Sequence, residues 1–84
     1  MLDLYTKIAN GLYRIYIDKT GVERKEARLL CLMMAQISLI YHTGSEYDRE
    51  SARLYFKSDD FLKHCEVLTL DEVITGRLLT FVKG

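Results

Sequence analysis

From Leu29 to Tyr41 the chain reads Leu-Leu-Cys-Leu-Met-Met-Ala-Gln-Ile-Ser-Leu-Ile-Tyr, and Gln36 and Ser38 are its only polar breaks. The run falls short of the roughly 20 apolar residues that cross a bilayer. A helix apolar on every side is one surrounded by partners. The spacing therefore predicts a central helix over Val22 to about His42, about 30 Å long at 1.5 Å per residue. The chain holds no Pro and five Gly in 84 residues, which removes the punctuation of β-rich folds. An 84-residue chain has room for one domain and one core. The expectation is a single all-α domain over residues 1–84, a compact bundle of four to five helices around the helix at about 22–42.

Helix starts are written in capping chemistry. The pattern S/T-x-x-D/E, in which a hydroxyl and a carboxylate three residues apart satisfy each other's exposed amides, occurs at Thr20 to Glu23, Ser45 to Asp48 and Thr69 to Glu72. Ser58 precedes Asp59 and Asp60, whose carboxylates favour the positive end of a helix dipole. In the first segment Asp3, Lys7, Asn10, Arg14 and Asp18 recur three or four residues apart as a polar stripe. Leu2, Tyr5, Ala9, Leu12 and Tyr16 form its core face, widened by Leu4, Ile8, Ile15 and Ile17. Residues 12–17 also fit a strand running into a turn at Asp18-Lys19-Thr20-Gly21, although no second strand exists to pair with it, and Gly11 is the place for a break. Gly44 is read as a left-handed helix end. The third helix, Glu46 to about Lys57, sets Tyr47, Ser51, Leu54 and Tyr55 inward. Phe61, Leu62, Cys65 and Leu68 mark the inner face of a fourth, and Val73, Ile74, Leu78, Phe81 and Val82 that of a fifth.

Chemistry is sparse. Cys31, His42, His64 and Cys65 are the Cys and His of the chain, without the close paired spacing that anchors zinc. His64 and Cys65 are sequence neighbours pointing about 100° apart on a helix, which does not make a nucleophile and its base. No phosphate loop, nucleophile elbow or calcium loop is present. Neither enzyme, metal nor cofactor is expected. Two Cys inside apolar stretches point to a reducing compartment, and the opening Met1-Leu2-Asp3-Leu4 lacks the pattern of a signal peptide. A cytoplasmic protein with no membrane attachment is expected.

Charge narrows the partners. Twelve basic and twelve acidic residues balance, against the excess of cations that coats nucleic acid. The acids are uneven, with eight carboxylates against four cations between Ser45 and Glu72. Capping and a solvated face account for most of them, and a basic protein partner is the alternative. Six Tyr in a chain without Trp also favour an interface, because Tyr supplies contact area at low entropic cost. Tyr13 lies outside the main apolar face.

The segment Phe61-Leu62-Lys63-His64-Cys65-Glu66-Val67-Leu68-Thr69-Leu70-Asp71-Glu72-Val73-Ile74-Thr75-Gly76-Arg77-Leu78 resembles a helix-turn-helix, with Cys65 at the small packing position and Leu78 locking the second helix. Thr69 stands where that motif usually has Gly, and the helix offered to DNA opens with Asp71 and Glu72. The wider run from Ser51 through Phe61 to Leu70-Asp71 resembles short uncharacterised proteins encoded by bacteriophages and prophages. That resemblance covers about the last 35 residues and implies a mobile-element accessory protein, a group that includes inhibitors of host defence such as anti-CRISPR proteins.

The leading expectation is thus a non-enzymatic helical protein that binds a host or phage protein and acts by occupying its surface. Tyr13, Tyr16 and Ile17 are the expected anchors, and Asp48, Glu50, Asp59 and Asp60 the steering charges. The first-helix surface is alternatively the seam of a homodimer. The runner-up is a dimeric helix-turn-helix regulator reading DNA with Thr75, Arg77 and Lys83, its phosphates held by Arg24, Lys25 or Arg28.

Overall fold

A computed structural model describes the backbone of residues 2–83 and the side chains of residues 4–80. It contains five α-helices in the order α1 (Leu2–Thr20), α2 (Lys25–Thr43), α3 (Glu46–Lys57), α4 (Asp59–Val67) and α5 (Glu72–Lys83). No strand occurs among the described residues. Residues 12–17 are helical, and α1 continues through Gly11 without a break. The bundle measures 39 × 28 × 21 Å. The side chains of Leu2, Phe81, Val82 and Lys83 lie outside the described residues.

Helix α2 is the hub, packing against α1, α3 and α5. Its Ala27, Cys31, Met34, Ala35 and Ser38 are buried. Ser38 satisfies its hydroxyl by donating to the Met34 carbonyl at 2.8 Å, as a buried polar group must. Around α2 the core gathers Leu12 and Tyr16 of α1, Phe56 of α3, Phe61 and Cys65 of α4, Leu68 and Leu70 of the following turn, and Leu78 of α5. Aromatic rings knit α3 to α4, with Phe56 and Phe61 edge to face at 5.1 Å and Tyr55 and Phe61 at 5.6 Å.

Two of the four capping sites form as expected. Ser45 Oγ accepts from the Asp48 amide at 3.3 Å and opens α3. Ser58 serves two helices at once: its hydroxyl donates to the Tyr55 carbonyl at 2.6 Å, ending α3, and accepts from the Phe61 amide at 3.3 Å, starting α4.

The other two are corrected. Thr20 belongs to the last turn of α1, donating to the Tyr16 carbonyl at 2.8 Å and accepting from the Val22 amide at 3.3 Å. Gly21, at φ 70°, closes that helix, and α2 starts at an Arg24 that makes no side-chain cap. Thr69 is likewise taken by the end of α4. It sits at φ 57°, its amide bonds to the Glu66 carbonyl at 3.0 Å, and the Leu70 amide reaches the Cys65 carbonyl at 2.9 Å. These two bonds make a Schellman motif with a β-branched residue in the left-handed position. Asp71 then caps α5, its carboxylate accepting from the Ile74 amide at 2.9 Å. Gly44 is also not left-handed; it is extended at φ −77°, ψ 173°.

Burial departs from the apolar pattern wherever the apolar arc is wider than one neighbour covers. On α3 the buried residues are Ala52 and Phe56, whereas Tyr47 and Leu54, expected inside, are 80% and 59% exposed. Leu62 on α4 and Val73 on α5 are also exposed. Leu29 on α2 is 60% exposed, so the hub helix is not enclosed over its whole circumference. On α1, Ile8, Ile15 and Ile17 pack against the core and only Leu4 of the widening set stays exposed.

Candidate protein-binding surface

The connection Gly21 to Arg24 folds α1 back along α2, which brings the end of one helix against the start of the other. Tyr13 lies in that corner. Its ring stacks on Tyr16, with centroids 6.2 Å apart and planes 9° from parallel. The Arg28 guanidinium lies 5.6 Å from the Tyr13 ring centroid, a cation–π distance. The Tyr13 hydroxyl points to the Arg24 carbonyl at 3.5 Å. Three contacts hold the ring while one side remains open.

That open side borders a depression of about 430 Å³ lined by Asn10, Tyr13, Arg14, Ile17 and Asp18. A second depression, of about 260 Å³, continues it toward the start of α1 through Thr6, Lys7, Asn10, Gly11 and Arg14. Gly11 lines the second of them, and nothing lies within 4 Å of the place its Cβ would take. The surface thus combines an aromatic ring, an isoleucine edge, two arginines and one carboxylate on a rigid helix.

Of the expected anchors, Tyr13 and Ile17 line this surface and Tyr16 does not. Tyr16 is only 6% exposed, since it backs the Tyr13 ring from within the core; it supports the surface without presenting to a partner. Arg28 and Asn10 were not anticipated on this surface. The signal for Arg28 was the short α1–α2 connection, which forces residues just after it to face residues just before it.

The acidic residues form a separate surface. Asp48 follows the α3 cap and lines a groove with Ile37, Ile40, Ser51, Ala52 and Tyr55. Glu50 is paired with Arg53 one turn on and borders a wider hollow with Tyr41, Glu46, Tyr47, Arg49 and Arg53. Asp59 and Asp60 are exposed in the first turn of α4. α3 begins beyond the C-terminal end of α2, whereas Tyr13 meets the N-terminal end. From Arg28 to Ile40 the axial separation is about 18 Å at 1.5 Å per residue.

At the α4–α5 turn, Thr75 is half-buried beside the Cys65 thiol. Arg77 is exposed, and Lys83 lies outside the described side chains. Arg24 and Lys25 are exposed near the α1–α2 corner and Arg28 is held over Tyr13.

Burial pushes the Cys31 thiol up to about 11 and raises Cys65 as well, which keeps both thiols protonated and poorly nucleophilic at neutral pH. Among the described residues, no cluster of three or more His, Cys, Asp and Glu side chains is placed to hold a metal ion, and no helix is long and apolar enough to cross a membrane.

Compared with known proteins, the chain matches no protein-family model, no curated protein and no solved structure.

Proposed function

We propose that this chain is a small, non-enzymatic protein-binding protein that acts by occupying a surface of its partner. The observation that carries the reading is the held but open Tyr13 ring, stacked on Tyr16, topped by Arg28 and bordering the depression with Ile17. Interface energy concentrates in such Tyr and Arg residues, and a ring already fixed loses little entropy on binding. The acidic patch of Asp48, Asp59 and Asp60 steers a basic partner from a distance, while Glu50 is largely spent on Arg53. The resemblance of about the last 35 residues to phage and prophage proteins favours a partner among host or phage proteins in the bacterial cytoplasm, with inhibition of a defence system as the specific case.

Affinity capture from host lysate tests this reading. One stoichiometric partner is expected with the native sequence, and its recovery falls at least tenfold with Tyr13→Ala and with Ile17→Asp while the helical circular dichroism stays unchanged. Capture that survives both substitutions removes this surface from the reading.

A second reading, a dimeric helix-turn-helix regulator, is favoured by the left-handed turn at Thr69, where that motif commonly bends. The half-buried Thr75 and the exposed carboxylates of Asp71 and Glu72 weigh against it. A low-salt electrophoretic shift decides: retardation of phage operator DNA that is lost on Arg77→Ala supports it, and the absence of any retardation removes it.

A further inference from the structure

The smaller hollow on the outer face of α1 has a one-sided chemistry. Thr6, Lys7, Asn10, Gly11 and Arg14 line its space of about 260 Å³. Lys7 and Arg14 are cations, Thr6 and Asn10 are neutral donors, and no carboxylate is among the lining residues. All four side chains are exposed, and among the described residues none of them has a hydrogen-bond or ion-pair partner. Even Arg14 and Asp18, four residues apart on one helix, do not pair. Gly11 leaves the floor between these donors free of a side chain.

We propose that this hollow takes a carboxylate, the side chain of an Asp or Glu in an extended segment of the protein partner, while an apolar residue of the same segment seats on Tyr13 and Ile17. The proposal rests on the protein-binding reading above and adds the chemistry of the occupant. Charge complementarity selects it, because a carboxylate there meets two cations and two further donors. Spacing then defines the segment. The two hollows share Asn10 and Arg14, and their centres are about five residues apart on α1, about 7 Å at 1.5 Å per residue. In an extended chain, side chains on one face recur every second residue, about 6.6 Å apart. The partner motif is therefore an acidic residue two positions from a large apolar one. Asp18 sets which hollow takes which residue, since it lines only the Tyr13 hollow and repels a carboxylate there. Asp18 and the Ile17 edge also interrupt the cationic face, which disfavours the continuous phosphate backbone of a nucleic acid. Asp48, Asp59 and Asp60 line neither hollow, so the carboxylate on α1 does not compete with basic partner surface drawn to α3 and α4.

Selection of a displayed library of random nine-residue peptides on the full chain tests the occupant. Peptides with Asp or Glu two positions from Leu, Ile, Met or Phe are expected to be enriched at least tenfold over their Asn and Gln counterparts. Arg14→Glu is expected to abolish the acidic preference and keep the apolar one, and Tyr13→Ala to lose the apolar one. Gly11→Leu fills the hollow with both charges in place and is expected to weaken the acidic preference. Lys63→Glu, the same kind of charge reversal at an exposed position of α4, leaves the selection unchanged. Helical circular dichroism checks that each variant is folded. No enrichment, an acidic preference that persists in folded Arg14→Glu, or binding of nucleic acid in place of peptide overturns the proposal. Lysate capture separates it from the reading beneath it. A partner lost with Tyr13→Ala yet retained in full with Arg14→Glu and with Lys7→Glu leaves the protein-binding reading standing and removes the acidic occupant.

Discussion

The hydroxyl of Tyr55 and Nδ1 of His64 lie 2.8 Å apart, and the two rings stack at 5.7 Å. The pair bridges α3 and α4 beside the shared cap at Ser58, so two short helices that would be marginal alone are fixed as one unit. Burial, reinforced by the nearby Cys65 and Asp60, pushes the Tyr55 phenol well above its ordinary pKa, and it remains a neutral donor or acceptor at neutral pH.

Removing only this hydroxyl separates hydrogen bonding from packing. Tyr55→Phe keeps the contacts with Phe56 and Phe61 and is expected to cost about 1 kcal/mol. Tyr55→Ala also empties the aromatic cluster and is expected to cost about 3–4 kcal/mol. Urea unfolding followed by circular dichroism measures both, and equal costs would show that the ring contributes little.

The left-handed Thr69 predicts a stabilising substitution. A β-branched residue at φ 57° is strained by about 1–2 kcal/mol, part of which Gly gives back through unfolded-state entropy. Thr69→Gly is therefore expected to raise stability by about 0.5–1 kcal/mol. Lys19, whose ammonium donates to the Thr69 carbonyl at 2.8 Å, continues to hold the turn in the variant. A lower melting temperature would contradict the strain.

Gly21 and Gly44 are required for different reasons, and alanine substitutions should show it. At Gly21 an added Cβ meets open space, but the backbone is left-handed at φ 70°, for an expected cost of about 1 kcal/mol. At Gly44 the backbone is ordinary, but a Cβ would lie 2.7 Å from the Ile40 carbonyl oxygen. That clash is with backbone, and an overpacking cost of about 1–3 kcal/mol is expected. Asn relieves the first position and not the second: Gly21→Asn should be milder than Gly21→Ala, and Gly44→Asn no milder than Gly44→Ala.

Stability should fall at both ends of the pH scale. The Cys31 thiol is raised from 9.0 to about 11 by burial, so the folded chain holds its proton more tightly than the unfolded one. The resulting stability is complete below pH 9 and is lost as pH rises through 11. Asp71 is lowered from 3.8, chiefly by the hydrogen bond from the Ile74 amide and with help from Lys19. Its contribution is present above pH 4 and disappears as pH falls further. Thermal melts should show Cys31→Ser flattening the alkaline limb and Asp71→Asn flattening the acid one; unchanged limbs would exclude these two groups as the cause.

Part of the candidate surface was legible in the chain itself. Tyr13 follows from helical spacing, which sets it outside the main apolar face of α1, and Ile17 from its place in the set that widens that face. Tyr16 was read as both core and anchor, and burial leaves it only the first role. Arg28 was named only as a phosphate contact for the DNA-binding alternative, because the ring it covers is 15 residues away in the chain and only the short α1–α2 connection pointed to the pairing.

Interactions spanning three or four residues are complete within a short stretch of chain, and for that reason the all-α class, the hub helix and the serine caps at Ser45 and Ser58 could be derived before any packing was known. Thr20 and Thr69 carry the same local pattern and do something else, since each is claimed by the helix that ends there. Which part of a wide apolar arc becomes interior was settled only in three dimensions. Tyr47 and Leu54 are as apolar in pattern as Ala52 and Phe56, but neighbouring helices cover one flank of α3 and leave the other in water. Burial depends on what arrives from elsewhere in the chain, and a single helix does not encode its own neighbours.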